Sequence, residues 1–295
     1  MKEKAVLYLG GGGMSGVFGG GVVTGLEQVN IYDKLKSVYS CSAGTLNGAY
    51  FLTGQTNYGA SIYWEELAHG FIRRRNIPFG AMQRLWHGYI KKIKHPSMVN
   101  AMFADKVIDV VQYKKALDVV TLRNQSLPLY VKVLNTQNMQ IEYHDVRKEE
   151  KIFDLLKAGI SAIPYYYPSP DNGHYVDGAI KEPLGLDYIL EQNPNSKIIA
   201  VFNLTIHRHF GHQLKNFIEG IAANPMYPGV FSKCFMQREK SVRKSLALAM
   251  KEERIMIVHP AKDNLVQSWI LDENKLKKLY NDGMETAESI NNFLE

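Results

Sequence analysis

Along the first fifty positions the apolar residues alternate between short β-prone runs and segments of helical spacing. Ala5 to Leu9 is an uninterrupted apolar run that stops at Gly10-Gly11-Gly12-Gly13, the pattern of a buried strand delivered into a glycine loop. Beyond Gly16, the residues Val17, Phe18, Val22, Val23 and Leu26 recur at helical spacing as far as Asn30. Lys36 to Cys41 reads as a second strand. Ala43 to Thr53 reads as a second helix, whose Ala43, Gly44, Gly48 and Ala49 permit close packing on a sheet. This alternation predicts an α/β fold with a mostly parallel sheet.

Farther along, Ser61 to about Leu127 has helical character. Leu129–Leu134 and Gln140–Tyr143, separated by Asn135-Thr136-Gln137-Asn138, predict a strand pair. Helical spacing returns at Ile152, Leu155 and Leu156, and a Pro- and Tyr-rich loop is expected over 164–172. Lys197–Phe202 and Arg254–Val258 predict strands, Val230–Met250 contains a helix, and Glu273–Phe293 closes the chain helically. With no internal repeat and no low-complexity linker, the expectation is one domain over 1–295. Its motifs are concentrated in about 4–186, and 205–295 is less informative.

Composition narrows the class. At 295 residues, 45% hydrophobic and 22% charged, the chain is globular rather than disordered, collagenous or coiled-coil. Ala5–Leu26 carries no charge, but nine of those residues are glycine, so a spanning helix is not expected. The apolar run at the N-terminus is too short for a signal peptide, and the two cysteines, Cys41 and Cys234, are too few for a disulfide framework; a cytoplasmic protein is expected. His207, His209 and His212 have no Asp, Glu or Cys to complete a ligand set, so no metal and no cofactor is expected.

Net charge is +6, and between Glu66 and Asp105 stand seven basic residues (Arg73, Arg74, Arg75, Arg84, Lys91, Lys92, Lys94) and no acid. Met82, Leu85, Trp86, Tyr89, Ile90 and Ile93 share one face of a basic amphipathic helix in that stretch. Two readings stay open: a surface helix packed on the domain, or peripheral contact of 73–94 with an anionic membrane. No nucleic-acid-binding motif accompanies the charge.

Gly11-Gly12-Gly13-Met14-Ser15-Gly16 satisfies the dinucleotide fingerprint, which calls for an acid at the tip of the second strand. That tip is Ser40-Cys41-Ser42-Ala43-Gly44, without an acid. A serine among tiny residues at a strand-to-helix turn instead describes a nucleophile elbow, with Ser40, Ala43 and Gly44 supporting Ser42. The backbone N–H groups of Gly11, Gly12, Gly13 and Met14 then offer an oxyanion hole. Candidate bases for Ser42 are His174, His259, the histidine cluster and Asp177, the last in a tight Asp177-Gly178-Ala179 turn. Cys41 is expected to point away from the nucleophile and pack.

Together these residues make the chain resemble the patatin-like phospholipase family. The glycine loop, the Ser40–Gly44 elbow and Asp177-Gly178-Ala179 match its three motifs in order, and Ala158-Gly159-Ile160-Ser161-Ala162-Ile163-Pro164 is similar to the segment that precedes its aspartate. The resemblance covers roughly residues 4–54 and 152–186. It implies a three-layer α/β/α fold and a Ser–Asp dyad without histidine, with Ser42 acylated, Asp177 as its base, and a lipid or phospholipid ester as substrate. Two positions depart from the pattern: Ser40 replaces the first glycine of the elbow, and Ser15 stands where the family carries a basic residue. A catalytically weak membrane-binding or interaction protein on the same fold is the alternative.

Overall fold

The computed structural model describes residues 3–91, 99–167, 174–204, 211–223, 231–261 and 268–295. Its centre is a sheet of seven strands: β1 (Ala5–Leu9), β2 (Leu35–Ser40), β3 (Leu129–Asn135), β4 (Ile141–Asp145), β5 (Tyr175–Asp177), β6 (Ile198–Val201) and β7 (Ile255–Val258). Their order is β4-β3-β2-β1-β6-β7, with β5 also paired to β3. The run β3-β2-β1-β6-β7 is parallel throughout, while β4 and β5 join β3 antiparallel. The helices are α1 (Val17–Gln28), α2 (Ala43–Leu52), α3 (Thr56–Ala60), α4 (Asn76–Leu85), α5 (Ala104–Asp109) and α6 (Val119–Asn124), then α7 (Ile152–Gly159), α8 (Leu186–Gln192), α9 (Gly211–Ala223), α10 (Phe231–Ala249), α11 (Glu273–Met284) and α12 (Ala287–Leu294).

The period of two along the central strands sorts their side chains into two cores. Ala5, Leu7 and Leu9 of β1 join Val38, Val131 and Val201 under α1, α2, α7 and α11. Val6 and Tyr8 point the other way and pack with Tyr39, Cys41, Ile198 and Ala200 against α8 and Ala249 of α10. Helices therefore cover both faces, which makes the three layers that the family resemblance implies.

Two expectations need adjustment. The helical spacing of 273–293 is two helices, because the Thr286 hydroxyl donates to the Gly283 carbonyl (2.7 Å) and ends the first. In the middle segment Ile72 forms a β-bridge with Met102 between helices. Of the Pro- and Tyr-rich loop, residues 168–173 lie outside the described residues, as do His207, His209, Lys92, Ile93 and Lys94. His212 falls within α9.

Candidate active site

Leu9 and Ser40, paired in the register of β1 and β2, bring the glycine loop and the elbow to the same edge of the sheet. Ser42 is the N-cap of α2 and takes φ 52°, ψ −127°, a left-handed backbone rare for a residue with a Cβ. Its neighbours hold it there. Cys41 N–H donates to Leu9 O (3.0 Å), Gly44 N–H to Cys41 O (3.0 Å) and Thr45 N–H to Ser42 O (2.8 Å). Gly44 lets α2 press onto β1, since a Cβ there would stand 2.1 Å from the Leu9 carbonyl oxygen. Ser40 is tolerated in place of glycine because its buried hydroxyl donates to Tyr130 O of β3 (3.2 Å).

The glycine loop lies directly against the nucleophile: a Cβ on Gly11 would meet Ser42 Cβ at 2.8 Å. Gly13 adopts φ +59°. Among the described residues no partner is found for the N–H groups of Gly11, Gly12 and Gly13. Met14 is a correction to the expected donor set, because its N–H donates to Ser268 O (3.1 Å). Ser15, where a basic side chain was the family pattern, is buried and turns its hydroxyl back onto Gly12 O (2.7 Å).

Two asparagines that sequence reasoning missed hold this loop. Asn203, just past β6, donates to Gly10 O (2.6 Å) and accepts from Gly19 N–H (2.7 Å). Asn47 of α2 donates to Gly16 O (2.8 Å) and accepts from Tyr63 OH (3.3 Å). Both are buried, with their amides satisfied by groups of segments distant in the chain.

Asp177 ends β5 and is 2% exposed. Its Oδ1 accepts from Ala179 N–H (2.9 Å) and from the Cys41 thiol (3.6 Å), and its own N–H donates to Ser161 O (3.2 Å). Ser161 in turn donates to Lys157 O (2.7 Å), so the segment after α7 sets the height of the aspartate. Burial pushes the Asp177 carboxyl above its ordinary value; the Ser42 hydroxyl, Ala179 N–H, Lys132 and Arg238 pull it back. Ser42 and Asp177 are thus brought together. His174 is exposed and engaged through its carbonyl by Thr136, and His259 bonds Pro260 O (2.8 Å). Cys41 does face away into the second core, but its thiol reaches the carboxylate as well as packing.

Beside Ser42 opens an apolar cavity of about 40 Å³, walled by Leu46, Ile62, Leu67, Phe71, Met102 and Ile160, with Asn47, Tyr50 and Tyr63 at its polar points. A larger cleft of about 400 Å³, lined by Glu27, Asp33 and Lys36, lies at the opposite end of β2 and contains none of these groups. No set of three or more metal-ligating side chains exists among the described residues.

Among solved structures, VipD from Legionella pneumophila is similar in fold, with a TM-score of 0.51 and 14% identity; the match covers 98% of this chain and 66% of VipD's. No curated protein matches the chain in sequence. The family model for patatin-like phospholipases matches residues 7–190, from β1 through the elbow and Asp177 to α8. That span is more than half of the chain and includes both members of the Ser42–Asp177 pair, and the protein belongs to the patatin-like phospholipase family.

Proposed function

We propose that the protein is a serine acyl hydrolase that cleaves lipid acyl esters through a Ser42–Asp177 dyad. The observation that carries this reading is the strained elbow of Ser42 beside a buried carboxylate that interacts with its hydroxyl. Ala179 N–H and the Cys41 thiol hold Oδ1 of Asp177, and the carboxylate would receive the Ser42 proton. Ser42 Oγ then adds to the ester carbonyl carbon, and negative charge collects on the carbonyl oxygen, where the N–H groups of Gly11, Gly12 and Gly13 would meet it. The C–O bond to the alcohol breaks, the alcohol leaves with the proton held by Asp177, and a water activated by Asp177 releases the acid from acyl-Ser42. The cavity beside Ser42 is apolar, as the acyl side of a lipid ester requires, and at about 40 Å³ it would have to widen to take more than the first carbons of the chain.

Substrate would be met at a membrane surface, through peripheral contact of 73–94 with anionic lipid. In support, Phe79, Met82, Leu85, Trp86, Tyr89 and Ile90 stand 39–63% exposed, and Arg73, Arg74, Arg75 and Lys91 are exposed around them.

A fluorophosphonate probe tests the chemistry. Peptide mapping should find the adduct on Ser42, and Ser42→Ala and Asp177→Asn should each abolish hydrolysis of a short p-nitrophenyl ester while retaining the fold. The double variant should lose little more, because the two residues act as one unit. Absence of adduct on folded protein would favour a non-hydrolytic membrane-binding protein on this fold.

A further inference from the structure

Among the described residues the N–H groups of Gly11, Gly12 and Gly13 find no partner, yet the carbonyl that precedes each of them is held. A trans peptide unit sets its N–H opposite the carbonyl of the preceding residue, so whatever fixes the carbonyls of Gly10, Gly11 and Gly12 also aims the three N–H groups. The only cis peptide bond among the described residues precedes Pro164, so the rule applies to the whole glycine loop. Asn203 Nδ2 donates to Gly10 O (2.6 Å) and, at longer range, to Gly11 O (3.4 Å). Gly12 O accepts from Ser15 Oγ (2.7 Å) and from Ser15 N–H (3.3 Å).

The Asn203 amide has a single orientation that satisfies its surroundings. Its Oδ1 accepts the Gly19 N–H (2.7 Å), a donor in the first turn of α1 that has no carbonyl of its own helix to meet. With the oxygen committed to that donor, the nitrogen must face the carbonyls. Asn203 is buried, and Gly10 N–H donates to Val201 O (2.9 Å), which seats the loop beside the end of β6. The glycine loop then runs between Asn203 and Ser42. A Cβ on Gly12 would stand 2.8 Å from Asn203 Cβ and 2.6 Å from Ser15 Oγ, whereas one on Gly11 would stand 2.8 Å from Ser42 Cβ. A side chain at Gly12 would therefore displace both of the groups that hold the carbonyls.

We propose that Asn203 and Ser15 are positioning residues that set the oxyanion hole, holding the loop carbonyls on one side so that the N–H groups of Gly11, Gly12 and Gly13 are presented on the other, beside Ser42. The role in turnover rests on the Ser42–Asp177 reading; the orientation of the N–H groups does not. The test is amide NMR of the isotope-labelled full-length protein before and after complete reaction with a fluorophosphonate, whose phosphonyl oxygen takes the place of the oxyanion. In the wild type the amide protons of Gly11, Gly12 and Gly13 should all move downfield in the adduct. Asn203→Leu keeps the volume and removes the donor, so the Gly11 shift should be lost and the Gly12 shift reduced while that of Gly13 stays. Ser15→Ala should reduce the Gly13 shift alone. With a short p-nitrophenyl ester, Asn203→Leu should lower kcat about 100-fold and leave KM nearly unchanged, because oxyanion donors act in the transition state. Wild-type shifts retained in folded Asn203→Leu, or a loss confined to KM, overturn the proposal; should that variant not fold, three unaltered shifts in Ser15→Ala overturn it. If the wild type forms no adduct, the dyad reading fails, and residual dipolar couplings of the free protein decide the orientation by themselves: a Gly13 N–H that turns in Ser15→Ala supports the proposal, and one that stays overturns it.

Discussion

Ser42 carries the sharpest local cost in the site. A side chain at φ 52°, ψ −127° is disfavoured by roughly 1–3 kcal/mol, a cost the hydrogen bonds of Cys41, Gly44 and Thr45 with the surrounding backbone sustain. Glycine is free of that penalty, so Ser42→Gly should be more stable than Ser42→Ala by about 1 kcal/mol in denaturant unfolding, though both are inactive. Equal stabilities would mean that the elbow holds no strain. Asp177 stores a cost of another kind. Its carboxyl is raised by burial, so the folded state binds the proton more tightly than the unfolded one, and stability is lost as pH rises through the folded value. Asp177→Asn should therefore raise Tm at neutral pH by a few degrees, with the gain shrinking as pH falls toward the ordinary carboxylate range. A variant that melts lower than the wild type at neutral pH would contradict this. Ser42 and Asp177 were legible in sequence because each sits in a short motif of tiny residues. Asn203 and Asn47 were not, since each acts on a segment distant in sequence and no local spacing announces it.

Elements were legible where burial dictates the pattern. β1 and β6 are apolar on both faces and read directly as parallel-sheet strands, whereas the three-residue β5 needs its pairing with β3 to exist at all. The glycines of α1 and α11 have a definite use. A Cβ on Gly21 would stand 1.9 Å from Tyr280 O of α11, and one on Gly283 would stand 2.2 Å from Phe18 O of α1, so the two helices meet backbone to backbone. Backbone cannot rotate aside as a side chain can. Gly21→Ala should cost about 3 kcal/mol despite alanine's better helix propensity, read by urea unfolding. Gly54, where an added Cβ meets only the Glu27 carboxylate at 3.4 Å, provides the contrast: its φ of +67° alone would penalise alanine, by about 1 kcal/mol. A Gly21→Ala loss no larger than that of Gly54→Ala would show that α11 can move away.

At the scale of the molecule, the basic segment is continuous with the candidate site. Phe71 and Met102 wall the apolar cavity, Ile72 and Met102 form the bridge, and Arg73 N–H donates to Ala101 O (2.9 Å), so the exposed Arg73-Arg74-Arg75 begins where the cavity wall ends. α4 follows immediately with its apolar stripe outward, and α9, packed against α4, adds exposed Phe217 and Ile218. The sequence showed the stripe but not its direction, because amphipathic spacing is the same whether the apolar face meets a protein or a bilayer. No helix among the described residues is long and apolar enough to cross a membrane, so attachment by this face would be peripheral. Each basic residue near an anionic surface contributes about 1 kcal/mol, an attraction that salt screens. Reversing Arg73, Arg74 and Arg75 to Glu should weaken binding to phosphatidylserine-containing vesicles by roughly 100-fold or more. Replacing Phe79, Met82 and Trp86 by Ser should weaken binding to vesicles of any charge, because those side chains act by apolar burial. Both variants should slow hydrolysis of vesicle lipid and leave turnover of a soluble short-chain ester intact, since none of these residues touches Ser42 or Asp177. Equal binding of the wild type to neutral and anionic vesicles at low salt, or parallel loss of both activities, would reduce the segment to an ordinary surface helix.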